Sequence, residues 1–161
     1  QITDNALRYL EGNIQRLNIS RCGRISDKGF SYLRGIKSLD MSWCNQIVIS
    51  DQGFMYLKGI QILHMAACNQ FTITDRAFMN LKGSIQSLDI SGCSQEGITA
   101  EMIKYIRETI VNLSLVGCNR TIINDSALAQ LIGSPKNLVL QSNERALINR
   151  RILHDIKEGI L

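Results

Sequence analysis

Proline is almost absent from this chain: one residue in 161. That argues against proline-rich linkers, and no Ser/Gly-rich or charge-rich run marks a domain boundary. Long apolar runs are missing too. The longest fall far short of the ~20 residues a membrane-spanning helix needs. From Gln1 onward there is no basic segment followed by an apolar one, so no signal peptide is visible. Histidine occurs twice, at His64 and His154, and no two cysteines stand as close as C-x₂-C, which removes the ligand spacing of a zinc site. Neither a phosphate loop G-x-x-x-x-G-K-S/T nor G-x-S-x-G nor H-E-x-x-H is present. The loop 45–49 (NQIVI) and its counterparts pair no nucleophile with a base, so the expectation is a protein that is not an enzyme and has no cofactor and no metal. The net charge is +4, and the basic residues are scattered along the chain with Arg150-Arg151 their only adjacent pair. A nucleic-acid surface usually shows a clustered basic stripe with stacking aromatics, so no nucleic acid and no membrane is expected as partner.

The five cysteines are what stand out. Cys22, Cys44, Cys68, Cys93 and Cys118 are separated by 22, 24, 25 and 25 residues. Each closes one phrase: an apolar residue, two variable ones, then Leu-x-(Ile/Leu/Met)-x-x-Cys. A period in the twenties indicates a solenoid, in which each repeat contacts mainly its neighbours. An odd number of cysteines does not close a disulfide framework, and unpaired thiols point to a reducing compartment, cytoplasmic or nuclear. A small, weakly polar side chain just past the strand can pack in line with its neighbours and offer S–H to loop carbonyls. Asn143 takes the cysteine's place in the sixth phrase. Four N-x-S/T sequons, at Asn18, Asn112, Asn119 and Asn124, read as by-products of the repeat.

One repeat runs ISDQGFMYLKG from Ile49, then IQILHMAAC. Ile49 is an apolar anchor and Ser50 an N-cap. Asp51 sits on the positive end of the helix dipole, Phe54 and Leu57 share a face, and Gly59 supplies the left-handed residue that ends a helix. The same start recurs at Thr3-Asp4, Ser26-Asp27, Thr74-Asp75 and Asn124-Asp125, with Thr99 opening a variant. The second half is a short strand in which Leu63 and Met65 face inward. One such strand per repeat stacks into a parallel sheet, and helices, being wider than strands, curve the stack with the strands inside.

This phrase resembles the leucine-rich repeat, L-x-x-L-x-L-x-x-N/C. The cysteine ending and the I-T/S-D helix start are similar to its cysteine-containing subfamily, best known from F-box/leucine-rich-repeat substrate receptors of cullin-type ubiquitin ligases. The resemblance covers essentially the whole chain. It implies an α/β fold: a right-handed leucine-rich-repeat solenoid, a horseshoe segment with parallel strands on the concave face and helices on the convex one. The chain is then a single domain, 1–161, of about six repeats, a fragment of a longer solenoid, with 144–161 as last helix or C-terminal cap. No F-box is visible, so the ubiquitin link is what the resemblance implies.

In a solenoid the concave face commonly binds. Its outward columns read Asn18, Asp40, His64, Asp89, Ser114, Val139; Arg21, Trp43, Ala67, Gly92, Gly117, Ser142; and Arg16, Ser38, Ile62, Ser87, Asn112, Asn137. Trp43 is the only tryptophan, at a position where the repeat calls for no aromatic. It reads either as packing over small neighbours or as an interface anchor. The expected partner-binding patch is Arg21, Asp40, Trp43, His64 and Asp89, with His64 lying between two carboxylates. Tyr9, Tyr32, Tyr56 and Tyr105 share a helical position and read as a packing column. The expected function is therefore a protein–protein interaction module, a ubiquitin-ligase substrate receptor in the reading the resemblance favours. The alternative is a regulatory or scaffolding repeat segment of a larger enzyme, or of a microbial or viral host-interaction protein. Open repeat flanks, such as Leu17 and Ile19, further predict end-to-end self-association.

Overall fold

The computed structural model describes residues 2–140 together with 152, 154 and 155. Six three-residue strands form one sheet: β1 (Arg16–Asn18), β2 (Ser38–Asp40), β3 (Ile62–His64), β4 (Ser87–Asp89), β5 (Asn112–Ser114) and β6 (Asn137–Val139). They lie side by side in chain order, and every pair is parallel. Helical segments alternate with them: α1 (Asp4–Arg8), α2 (Asp27–Phe30), α3 (Asp51–Phe54), α4 (Asp75–Met79), α5 (Ile103–Ile106) and α6 (Asp125–Ala129). The architecture is α/β, one parallel sheet built by repetition. Asn143, Ser142 and nearly all of the segment 144–161 fall outside the described residues.

The helical halves are shorter than full helices. In the second and third repeats a single α-turn passes into a 3-10 turn, Ser31–Leu33 and Met55–Leu57. Ser26, Ser50, Thr74 and Thr99 cap these segments by accepting the N–H two residues on, as at Ser50 with Gln52 (3.2 Å). Gly59, at φ +89°, ends its segment in a conformation that side-chain-bearing residues disfavour.

Each repeat inserts the same apolar set into a continuous core. Ile25, Ile49, Ile73 and Ile98 anchor the helix starts and are fully buried. Phe30, Phe54 and Phe78 stack across three repeats with centroids 6.4 Å apart at each step, tilted by 43° and 56°. Such tilted pairs are the preferred aromatic geometry, and each buried ring contributes about 1.5–3 kcal/mol. Leu39, Leu63, Leu88 and Leu113 are buried from the sheet side. At the first strand Ile19 is fully buried and Leu17 partly so, so the apolar flank expected there is smaller than the pattern alone implies. Tyr32, Tyr56 and Tyr105 pack partly against the core as a column, whereas Tyr9 is 87 % exposed and does not join them.

The cysteines tie one repeat to the next. All five are free thiols, with Cys44, Cys68 and Cys93 buried. Cys44 Sγ donates to the Ile19 carbonyl (3.1 Å), Cys68 to Met41 (3.0 Å), Cys93 to Met65 (3.2 Å) and Cys118 to Ile90 (3.1 Å). Each acceptor is the residue just past the preceding strand. Burial pushes all three inner thiols upward, Cys93 to about 12.

Candidate functional site

The strand register brings the expected columns together. Asn18, Asp40, His64, Asp89, Ser114 and Val139 are successive Cα partners, as are Arg16, Ser38, Ile62, Ser87, Asn112 and Asn137. The column before the cysteines is linked by backbone bonds: Arg21 N–H to Ser42 O, Trp43 N–H to Ala66 O, Ala67 N–H to Ser91 O and Gly92 N–H to Val116 O. Arg21, Asp40, Trp43, His64 and Asp89 therefore lie on neighbouring strands of one surface.

Their individual roles differ. Asp40 and Asp89 are partly committed to the fold. Asp40 Oδ1 accepts the Ser42 N–H (3.0 Å) and Asp89 Oδ1 the Ser91 N–H (2.9 Å), the local turn bond that Asn18 also makes with Ser20 (2.8 Å). Asn18 Nδ2 further donates to Asp40 Oδ2 (3.1 Å). Among the described residues no ion pair joins His64 to either carboxylate. The ring is half-buried in mid-column.

The Arg21–Trp43 column is constrained in a way that side-chain spacing does not reveal. Arg21, Trp43 and Ala67 have φ of 58°, 63° and 53°, and Gly92 and Gly117 follow at 69° and 73°. All five described members of the column make this turn in the left-handed region, which glycine enters freely and a bulky residue enters at a cost of roughly 1–2 kcal/mol. Trp43 is nonetheless 56 % exposed, so burial of its ring does not repay that cost. Arg21 lies over it, with Cζ 5.7 Å from the ring centroid. The sequence reads Trp43 either as packing over small neighbours or as an interface anchor, and a 56 % exposed ring is compatible with both. Two glycines in the column were the available signal for the backbone constraint.

Three further features were not read from the sequence. The first is inter-repeat. Four of the helix-start aspartates, Asp4, Asp27, Asp51 and Asp75, do more than face a dipole: each holds the next repeat's cap with both oxygens. Asp4 accepts from Ser26 N–H and Oγ (2.9 and 2.6 Å), Asp51 from Thr74 (2.7 and 2.7 Å) and Asp75 from Thr99 (2.8 and 2.7 Å). The series stops at Ala100, which stands where an aspartate would. The second is apolar: Ile47, Val48 and Phe71, in the turns between cysteine and anchor, are 61 %, 53 % and 72 % exposed. The third is electrostatic. Arg34, Lys58, Lys82 and Arg107 recur at 24, 24 and 25 residues, so cations scattered along the chain stand exposed at the same edge, where helical segments end. Cations there complement the helix dipole.

No family profile and no curated relative matches this chain. Solved structures do. Rad7 in the yeast Rad7–Elc1 complex superposes with a TM-score of 0.61 at 16 % identity, over 99 % of this chain and 50 % of that one. The chain thus spans about half the length of that neighbour. The tropomodulin C-terminal domain of Caenorhabditis elegans (TM-score 0.47, 13 % identity, 98 % and 88 % covered) and leiomodin-1 actin-binding site 2 (0.49, 13 %, 97 % and 86 %) align less well. At these identities the likeness concerns the fold.

Proposed function

We propose that this chain is a leucine-rich-repeat segment that binds a protein partner on its strand face, the inner face where such stacks curve. The contact centres on Trp43 and Arg21, with Asp40, His64 and Asp89 along the neighbouring strands. It is a binding module and not an enzyme, and its buried unpaired thiols suit a reducing compartment, cytoplasm or nucleus. The observation that carries this reading is the exposed Trp43 at φ +63°, in a column where Gly92 and Gly117 make the same turn without strain. Strained backbone bearing an exposed aromatic is a recurrent mark of binding surfaces. The architecture shared with Rad7, crystallised in a complex, and the cysteine-containing repeat phrase both support the finer reading of a ubiquitin-ligase substrate receptor.

The test is affinity capture with quantitative mass spectrometry, comparing wild type, Trp43→Gly and the convex variant Arg76→Ala. Partners should be lost with Trp43→Gly and kept with Arg76→Ala. An anchor worth about 2 kcal/mol corresponds to about 30-fold in affinity. Identical partner sets for wild type and Trp43→Gly, or loss on Arg76→Ala alone, overturns the strand-face reading.

A further inference from the structure

The turns that follow Cys44 and Cys68 carry more apolar surface than the fold uses. Each repeat needs one apolar residue there, the anchor, and Ile49 and Ile73 fill that role at 0 % exposure. Ile47, Val48 and Phe71 are extra, and all are more than half exposed. The two turns run in register: Asn69 N–H donates to Asn45 Oδ1 (2.6 Å) and Thr72 Oγ1 to the Ile49 carbonyl (2.6 Å). Trp43 stands in the same stretch just before its cysteine, making a strip of four large apolar side chains over two repeats. Contiguous exposed apolar surface of this kind marks interaction sites. The strip has a polar boundary on each side. On the first-repeat side lie Arg21 and Arg24, both exposed, and among the described residues neither is paired with an acid. On the fourth-repeat side the corresponding turn carries Glu96 and Gly97.

Geometry narrows the occupant. Further repeats would add along the sheet order, beside β1 or β6, and leave this lateral edge uncovered. The Val48 and Thr72 carbonyls already accept the Asp27 and Asp51 N–H groups (3.1 Å each), which favours contact through the exposed side chains. Four side chains at these exposures offer on the order of 400 Å². That is about half of what each partner contributes to a standard stable interface, too little for a dimer of this chain and enough for a short segment. The paired cations favour carboxylates on the first-repeat side, and Glu96 disfavours an anionic lipid surface on the other.

We infer that the edge formed by Trp43, Ile47, Val48 and Phe71 docks a short acidic-apolar protein segment, its apolar side chains over the second and third repeats and its carboxylates against Arg21 and Arg24. The inference rests on the protein-binding reading above and extends it from the strand face onto this edge.

The test is selection of random displayed dodecapeptides on the whole chain, followed by titration of the enriched peptides. Enriched sequences should place Leu, Ile, Phe or Trp beside Asp or Glu. Phe71→Ser and Ile47→Ser should weaken them about ten-fold or more, and Arg24→Glu several-fold, while Arg76→Ala leaves them unchanged. These residues are exposed, so the variants should fold, and circular dichroism verifies it. No enrichment, enrichment of basic peptides, or indifference to Phe71→Ser overturns the proposal. Loss on His64→Ala with indifference to Phe71→Ser puts the peptide on the strand face, refuting the edge and sparing the broader reading. Two other outcomes replace the occupant and so refute it: a dimer in sedimentation that Phe71→Ser abolishes, or Phe71-dependent binding to vesicles of seven parts phosphatidylcholine to three of phosphatidylserine.

Discussion

Asp27 grips Ser50 with both carboxylate oxygens: Oδ1 accepts the backbone N–H at 2.8 Å and Oδ2 the hydroxyl at 2.6 Å. Ser50 in turn caps α3 by accepting the Gln52 N–H, and Asp51 beside it grips Thr74. Cap and clamp thus form a relay in which the helical starts at Ser26, Ser50, Thr74 and Thr99 are each fixed by the repeat before. This is how a stack of segments too short to persist alone acquires order.

The relay makes the aspartates more costly to lose than a dipole contact worth 0.3–1 kcal/mol. Removing Asp51 deletes two charge-assisted bonds at a part-buried site and strands the Thr74 N–H. Asp27→Ala and Asp51→Ala should each cost about 2–3 kcal/mol in urea unfolding. Glu101→Ala, which removes only an exposed pair with Lys104, should stay within about 0.5 kcal/mol. Equal small losses for all three would show that the clamps carry no energy.

The cysteine ladder predicts behaviour in alkali. The ordinary thiol value is 9.0, and burial raises Cys44, Cys68 and Cys93 above it, Cys93 to about 12. The unfolded chain therefore releases protons near pH 9 that the folded chain keeps. Stability from this source is complete below pH 9 and declines as pH rises toward 12. Cys93→Ala should lower stability at pH 7 by about 1–2 kcal/mol through lost packing, yet flatten the alkaline decline. In the native state at pH 8 a thiol reagent should modify the three buried cysteines slowly. Rapid stoichiometric labelling of Cys68 would contradict its burial.

Trp43 separates stability from function. Trp43→Gly relieves a left-handed backbone costing roughly 1–2 kcal/mol and forfeits an exposed cation–π contact of about 0.5–1 kcal/mol. Its melting temperature should not fall below wild type. Ala67→Gly, at φ 53° in the same column, should be neutral or stabilising by up to about 1 kcal/mol. A loss beyond about 1 kcal/mol for Trp43→Gly would mean that the indole supports the fold after all.

Much of this was legible in the chain. The cysteine period located five strands and the phrase ending at Asn143 the sixth, since Leu-x-Leu alternation recurs with them, and the columns Asp40–His64–Asp89 and Ser38–Ile62–Ser87 coincide with the register. What escaped has physical causes. A φ angle leaves little trace in side-chain type, and Gly92 and Gly117 read as small rather than left-handed. The Asp27–Ser50 clamp exists only once repeats stack, so a single repeat shows a dipole and a cap and no bond between them. Within NQIVI, Ile47 and Val48 beside the anchor Ile49 follow no repeat period, so nothing in the pattern marks them as surplus apolar surface. Capping residues mark where a helix begins and not how tightly it winds, so an α-turn followed by a 3-10 turn, as over Asp51–Phe54 and Met55–Leu57, is not legible from them.

The cationic edge tests the expectation that nucleic acid is not a partner. Arg34, Lys58, Lys82 and Arg107 lie one repeat apart and fully outside the core. One of the edge's four cations is engaged with the protein itself, Arg34 stacking on Tyr56 (4.7 Å), and the nearby Lys37 donates to the Gly59 carbonyl (3.4 Å). Arg34 thus covers Tyr56, while Tyr9 at the same helical position stays 87 % exposed; base stacking contributes about 1–3 kcal/mol per nucleotide in single-strand binders. Four phosphate contacts alone give a salt slope near −3.6 and are largely suppressed at physiological ionic strength. Fluorescence anisotropy with mixed-sequence single- and double-stranded oligonucleotides should therefore detect weak association at about 20 mM salt and none at about 150 mM. Lys58→Glu with Lys82→Glu should remove the low-salt signal and leave capture of protein partners intact. Tight binding that persists at about 150 mM and vanishes in that double variant would make this row, and not the strand face, the principal surface of the protein.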